Sequence, residues 1–110
     1  MIEETLKKIE ATIEKACAVP AENRAELEEL LSKLKSEVAE LSKTQGEQAR
    51  SIASFTEISM QEATREEKRP DLLELSLEGL ASSVEGFEVS HPRLVAIVDR
   101  ISVMLANIGI

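Results

Sequence analysis

Leu27 to Phe55 reads LEELLSKLKSEVAELSKTQGEQARSIASF, and its periodicity decides the fold class. Leu27, Leu31, Leu34, Val38, Leu41, Gln45, Gln48, Ile52 and Phe55 follow one another at alternating steps of four and three. Such steps keep side chains on one stripe of an α-helix, and a stripe that narrow suits a helix packed in a bundle or coiled coil. Leu30 widens the stripe, which points to burial against more than one partner helix. The seam turns polar at Gln45 and Gln48, with Gly46 between them, and two readings follow. A helix ending near Lys43 would leave Gly46 to mark a turn. A helix continuing to about Lys68 would make the glutamines a polar layer that fixes register, with Gly46 costing about 1 kcal/mol relative to Ala. The unbroken spacing through Ile52 and Phe55 favours the continuous helix. At 1.5 Å per residue, Ala21 to Lys68 would reach ~70 Å. A chain of 110 residues cannot enclose that length, so a second chain would have to cover it.

The same spacing recurs on either side. Ile2, Leu6, Ile9, Ile13 and Ala16 form one stripe; Leu73, Leu77, Leu80, Val84 and Phe87 another; Leu94, Val98, Ile101, Leu105 and Ile108 the last. Helices are expected at about 2–17, at 21–43 or on to 68, at 71–88 and at 92–108. Pro70 and Pro92 suit first helical positions, with Ser90 or His91 as the N-cap before Pro92. The short Ala18-Val19-Pro20 break makes the first two helices antiparallel neighbours with facing stripes. Residues 61–69 are polar on every face and read as a fraying end or a loop. Gly79 reads as a point of close approach between helices. Gly109 is expected in the left-handed conformation that closes a helix, with Ile110 folded back on the last turn. Glu3 with Lys7, Glu4 with Lys8 and Glu29 with Lys33 are favourable surface pairs. The expectation is a single all-α domain over 1–110: an antiparallel helical hairpin or bundle with a long coiled-coil-like helix, completed by oligomerisation.

Composition narrows the function classes. The net charge is −8 and no basic cluster exists, since Arg65 to Arg69 also holds Glu66 and Glu67. That argues against nucleic acid and against anionic lipid. Phe55 and Phe87 are the only aromatic residues, so the core must be aliphatic. Arg93, Asp99 and Arg100 interrupt the last apolar helix, short of the ~18 uncharged residues a membrane span needs. Cys17 is the single cysteine, and the acidic opening Met1-Ile2-Glu3-Glu4 is unlike a signal peptide. Both point to a reducing cytoplasmic setting.

Chemistry-bearing motifs are thin. Glu88 and His91 spell Glu-x-x-His, the spacing of di-iron carboxylate bundles, but Pro92 follows directly and breaks the helix that would align them. No Gly-rich phosphate loop exists, because Gly46, Gly79, Gly86 and Gly109 stand apart. His91 is the only conventional base, and nothing sets a nucleophile beside it. The expectation is no enzyme, no cofactor and no metal, with a ligand- or metal-binding bundle around Glu88 and His91 as the alternative.

The closing stretch, Phe87-Glu88-Val89-Ser90-His91-Pro92-Arg93-Leu94, then Asp99-Arg100-Ile101 and Leu105-Ala106-Asn107-Ile108-Gly109-Ile110, resembles the DUF4404 family of small bacterial proteins. Members tend to end in a Ser-His-Pro helix start and Leu-Ala-Asn-Met-Gly-Ile, with Ile108 here in place of the Met. The opening hairpin, with Pro20 before a Glu- and Leu-rich helix, is also similar. The resemblance covers roughly the first 40 and last 25 residues, leaving Gln45 to Lys68 as the part expected to depart. It implies a helical bacterial protein and brings no activity and no site residues. The expected function is protein–protein association by helical packing, as scaffold or regulatory partner. The partner would be a second copy, a dimer first, or another helical protein. The nine residues from Leu27 to Phe55 would form the interface.

Overall fold

The computed structural model describes residues 2–15 and 21–109, with the side chains of 3–12 and 22–109. These residues form five helices and no strand: α1 (Ile2–Lys15), α2 (Ala21–Ser42), α3 (Gly46–Ala63), α4 (Pro70–Ser83) and α5 (Pro92–Ile108). The all-α expectation holds, and Pro70 and Pro92 do open helices. Cys17, the Ala18-Val19-Pro20 break and Ile110 lie outside the described residues, as do the side chains of Ile2, Ile13 and Ala16.

The continuous helix from Ala21 to Lys68 does not form. The Lys43 N–H bonds the Glu40 carbonyl at 3.3 Å and the Thr44 N–H bonds that of Leu41 at 3.2 Å, tightening the end of α2. Gln45 then turns to φ −136°, ψ 66°, and α3 starts at Gly46. Ser42 to Gln45 offer nothing apolar to hold an extension in place, whereas folding back buries the α2 leucines inside the same chain. The 22 residues of α2 span ~33 Å, close to the molecule's longest dimension of 37 Å. A radius of gyration of 12.9 Å matches the roughly 13 Å of a compact domain of this length.

The return strand of that hairpin becomes the hub. Helix α3 packs against each of the other four. Its buried face is Ala49, Ala53, Thr56, Met60 and Ala63, joined by Ile52 and Ser59. These first five again step four, three, four, three, on a stripe rotated from the one that Gln45, Gln48, Ile52 and Phe55 describe. Small side chains let neighbouring backbones come close, which a helix surrounded on every side requires. Ile52 of the first stripe is buried beside the second. Helix α1 packs more against α3 than against α2. The α1 and α2 stripes share one core, in which Leu6 and Ile9 are buried with Leu27, Leu31 and Leu34, while α3 presents the closer-packing face to α1. A Lys35–Glu10 pair at 3.9 Å still ties α2 to α1.

Helices α3 and α4 run antiparallel, with the Phe55 ring seated where a Cβ at Gly79 would be. The close approach read from Gly79 is thus present. Gly109 is corrected: it has φ −83°, ψ 0°, not a left-handed conformation. A Cβ there would meet a δ-methyl at the mobile end of the Leu73 side chain and would come into ordinary contact with Ala63. Helix α4 ends at Ser83 rather than near residue 88. Val84 and Glu85 donate their N–H groups to the carbonyls of Ala81 and Ser82, and Gly86 takes φ 91°, which only glycine adopts cheaply. Val84 and Phe87 stay buried beyond the helix end, so their stripe continues through the turn.

Between α3 and α4 the polar stretch is a capped loop. The Lys68 ammonium donates to the Ala63 carbonyl at 2.7 Å, a cation at the negative end of α3. Arg69 grips Asp71 with two bonds, at 3.2 and 2.9 Å. These bonds hold the Asp71 carboxyl below its ordinary range against a smaller opposing effect of desolvation. With its folded pKa lowered, the pair's contribution is present at neutral pH and fades as pH falls through that value. On the opposite side Arg100 of α5 donates twice to Glu26 of α2, at 3.0 and 2.8 Å. On the helix surfaces Glu29–Lys33 closes at 3.4 Å, whereas Glu3–Lys7 and Glu4–Lys8 do not form ion pairs among the described residues. Solvent competes for such exposed charges.

Ser59 stands out in the core. It is fully buried in α3, and its hydroxyl has no hydrogen-bond partner among the described residues. Thr56 and Ser76, also buried, return their hydroxyls to the carbonyls of Ile52 and Leu73. Replacing Ser59 with Ala is expected to stabilise the protein by about 1 kcal/mol, by removing an unmatched polar atom and raising helix propensity. A lower urea midpoint for Ser59→Ala than for the parent would contradict this.

Candidate interaction surface

Helix α4 carries more leucine than one buried face can use. Its sequence, PDLLELSLEGLASS, places leucine at 72, 73, 75, 77 and 80. Leu73, Ser76 and Leu80 point into the core. Leu75, on the far side, is 62% exposed. Leu77 is only partly covered and faces α5.

Between α4 and α5 lies an open trough of about 420 Å³. Its walls are Leu73, Leu77 and Ala81 of α4 and Ala106 with Gly109 of α5. The small residues make the trough: where α3 uses alanine to let helices touch, Ala81 and Ala106 here face solvent and leave room above the leucines. Gly109 closes one end, beside Leu73. Further back along α5, Val103 is 51% exposed. The rim is acidic, with Glu74 and Glu78 on the α4 side. Both are exposed, and neither has an ion pair among the described residues. An apolar floor of this kind can seat a row of aliphatic side chains.

The residues singled out from sequence fall elsewhere. Leu27, Leu31, Leu34, Val38, Leu41 and Ile52 are buried in the core of the single chain. Phe55 is partly covered by that core, against Gly79. Gln48 is exposed and Gln45 half-buried. The two glutamines do come together, in a polar cleft of about 450 Å³ with Ser51, Ser82 and Phe87, where the α2–α3 and α4–α5 connections meet. The chain therefore buries by itself Leu27, Leu31, Leu34, Val38, Leu41 and Ile52 of the stripe for which a second copy was expected, and leaves Gln45, Gln48 and Phe55 at least partly open. Leu77 belonged to a stripe read from sequence, but the exposure of Leu75 and the trough formed by Ala81 and Ala106 did not show there. Leu72 and Leu75, lying off the α4 stripe, were the available signal.

Glu88 and His91 do not sit on one helix. Glu88 lies in the turn after Gly86, and its carboxylate accepts the Gly86 N–H at 2.9 Å. His91 is the N-cap residue of α5 without a side-chain cap bond. Its Nδ1 is 2.9 Å from the Ser90 hydroxyl, and its ring meets Phe87 edge-on at 5.3 Å. No group of three or more His, Cys, Asp or Glu side chains is placed to hold a metal among the described residues. Nor is any described helix long and apolar enough to cross a membrane.

These observations define a small all-α bundle with an apolar trough between α4 and α5 open to solvent among the described residues. The chain belongs to the DUF4404 family: the model for this domain of unknown function matches residues 2–110. The match takes in Gln45 to Lys68, so the expected departure in the middle of the chain is corrected, as befits a segment that supplies the central helix. Comparison with curated proteins gave no match, and comparison with solved structures gave none.

Proposed function

We propose that this protein works by association, receiving a helix of a partner in the α4–α5 trough, as a non-catalytic scaffold or regulatory subunit in the cytoplasm. The trough is the observation that carries this reading: Leu77 and Ala106 are left part-covered and Ala81 exposed on a chain that buries Leu27 to Leu41 of α2 and Leu94 to Leu105 of α5 along their stripes in its own core. Apolar surface left open in this way gains from being covered. Self-association through the trough is the weaker form of the proposal. A two-fold contact through the trough would bring Glu74 and Glu78 of both copies into one interface that no described trough cation neutralises, and crowding like charges is unfavourable.

The test compares capture from the source cell's lysate by the parent and by Ala81→Trp, which fills the trough from an exposed position. Proteins retained by the parent and lost by the variant, with both showing the same melting temperature and a light-scattering mass near 12.1 kDa, are the expected outcome. Identical capture profiles for the two would refute the trough as the working surface.

A further inference from the structure

We infer that the partner of this trough is an amphipathic helix whose narrow apolar stripe is flanked by lysine and arginine; this rests on the association reading above. The floor fixes the shape of the occupant. Leu73, Leu77 and Ala81 follow one another at steps of four along α4, and Ala106 and Gly109 lie three apart on α5. That is the spacing of helix ridges, and a trough between two helices takes the ridge of a third. Alanine at 81 and 106 leaves space for leucine-sized side chains above it, whereas Leu73 fills the space beside Gly109.

The rim fixes its charge. Glu74 and Glu78 are one helical turn apart on the open edge, and neither is neutralised by the fold. Arg69, the cation nearest in sequence to the Pro70 end of the trough, is held by Asp71. Among the described residues no cation lines the trough. The chain as a whole carries −8, so its long-range field also favours a cationic visitor and repels a second copy. Basic residues flanking the apolar stripe of the docking helix would meet Glu74 and Glu78, and such complementarity decides partner choice more than raw affinity.

Two synthetic helices of equal length and identical leucine–alanine stripe, one flanked by lysine and one by glutamate, test this by amide NMR titration of the full chain. The lysine helix is expected to bind at least roughly tenfold tighter, with shifts centred on Leu77, Ala81, Ala106 and Gly109. Glu74→Lys with Glu78→Lys together should reverse the preference, and Ala106→Leu should weaken both peptides without lowering the melting temperature. Equal binding of the two helices in the trough would overturn the charge assignment and leave the association reading standing. No shifts at the trough with either peptide would overturn both. Binding of the lysine helix that maps elsewhere on the acidic surface would also overturn the inference, as would a stable dimer that protects the trough.

Discussion

Leu34→Glu is expected to abolish the fold at neutral pH. Leu34 is fully buried on α2, in the middle of the stripe that packs into the common core. The substitution removes about 2–3 kcal/mol of apolar burial. It also sets a carboxylate in the aliphatic core, at a further cost of several kcal/mol. Together these rival the whole stability of a small domain, roughly 5–15 kcal/mol. The introduced carboxyl would have its pKa raised in the folded state, so the damage should lessen as pH falls and the group protonates. Far-UV circular dichroism with a urea series at pH 7 and pH 4 reads both effects. A helical spectrum and a parental midpoint at pH 7 would show that this stripe is not the core.

The second large effect concerns a residue with no apolar prominence. Ala53→Leu adds volume to a position 1% exposed on α3, the helix that touches all four others. Close-packed interiors resist such insertion, and the expected loss is ~1–3 kcal/mol, at the upper end because α3 cannot shift away from one neighbour without pressing on another. The same change at exposed Ala39 of α2 should stay within about 0.5 kcal/mol. Equal urea midpoints for Ala53→Leu and Ala39→Leu would mean that α3 is not the hub.

Much of the architecture was legible because aliphatic periodicity and proline are strong signals. The stripes on α2, α4 and α5 named Leu27, Leu34, Leu73, Leu80, Leu94 and Ile101, and all are buried. Pro70 and Pro92 marked the helix starts. The middle of the chain misled because Gln45, Gln48, Ile52 and Phe55 keep the expected spacing across a turn. The face that packs is instead Ala49, Ala53, Thr56, Met60 and Ala63. Alanine and threonine are weak evidence in a hydrophobic pattern, although the identical spacing was there to be read. The trough was illegible for a related reason: a groove is made by what side chains leave empty, and Ala81 and Ala106 give no signal alone.

What the sequence by itself determined is the class of structure: helical throughout, aliphatic in the core, acidic outside, and interrupted where proline forbids the α-helical hydrogen bond. These are local properties, set by each residue's own backbone and side-chain preferences. Tertiary structure alone decided that α2 ends at Ser42, that α3 packs against every other helix, and that Gly109 lies beside the Leu73 side chain in a right-handed rather than a left-handed conformation. It also decided which leucines remain uncovered. Each depends on how much apolar surface neighbouring elements bury together. A one-dimensional pattern shows that a stripe must be covered, but only packing settles whether this chain or another covers it.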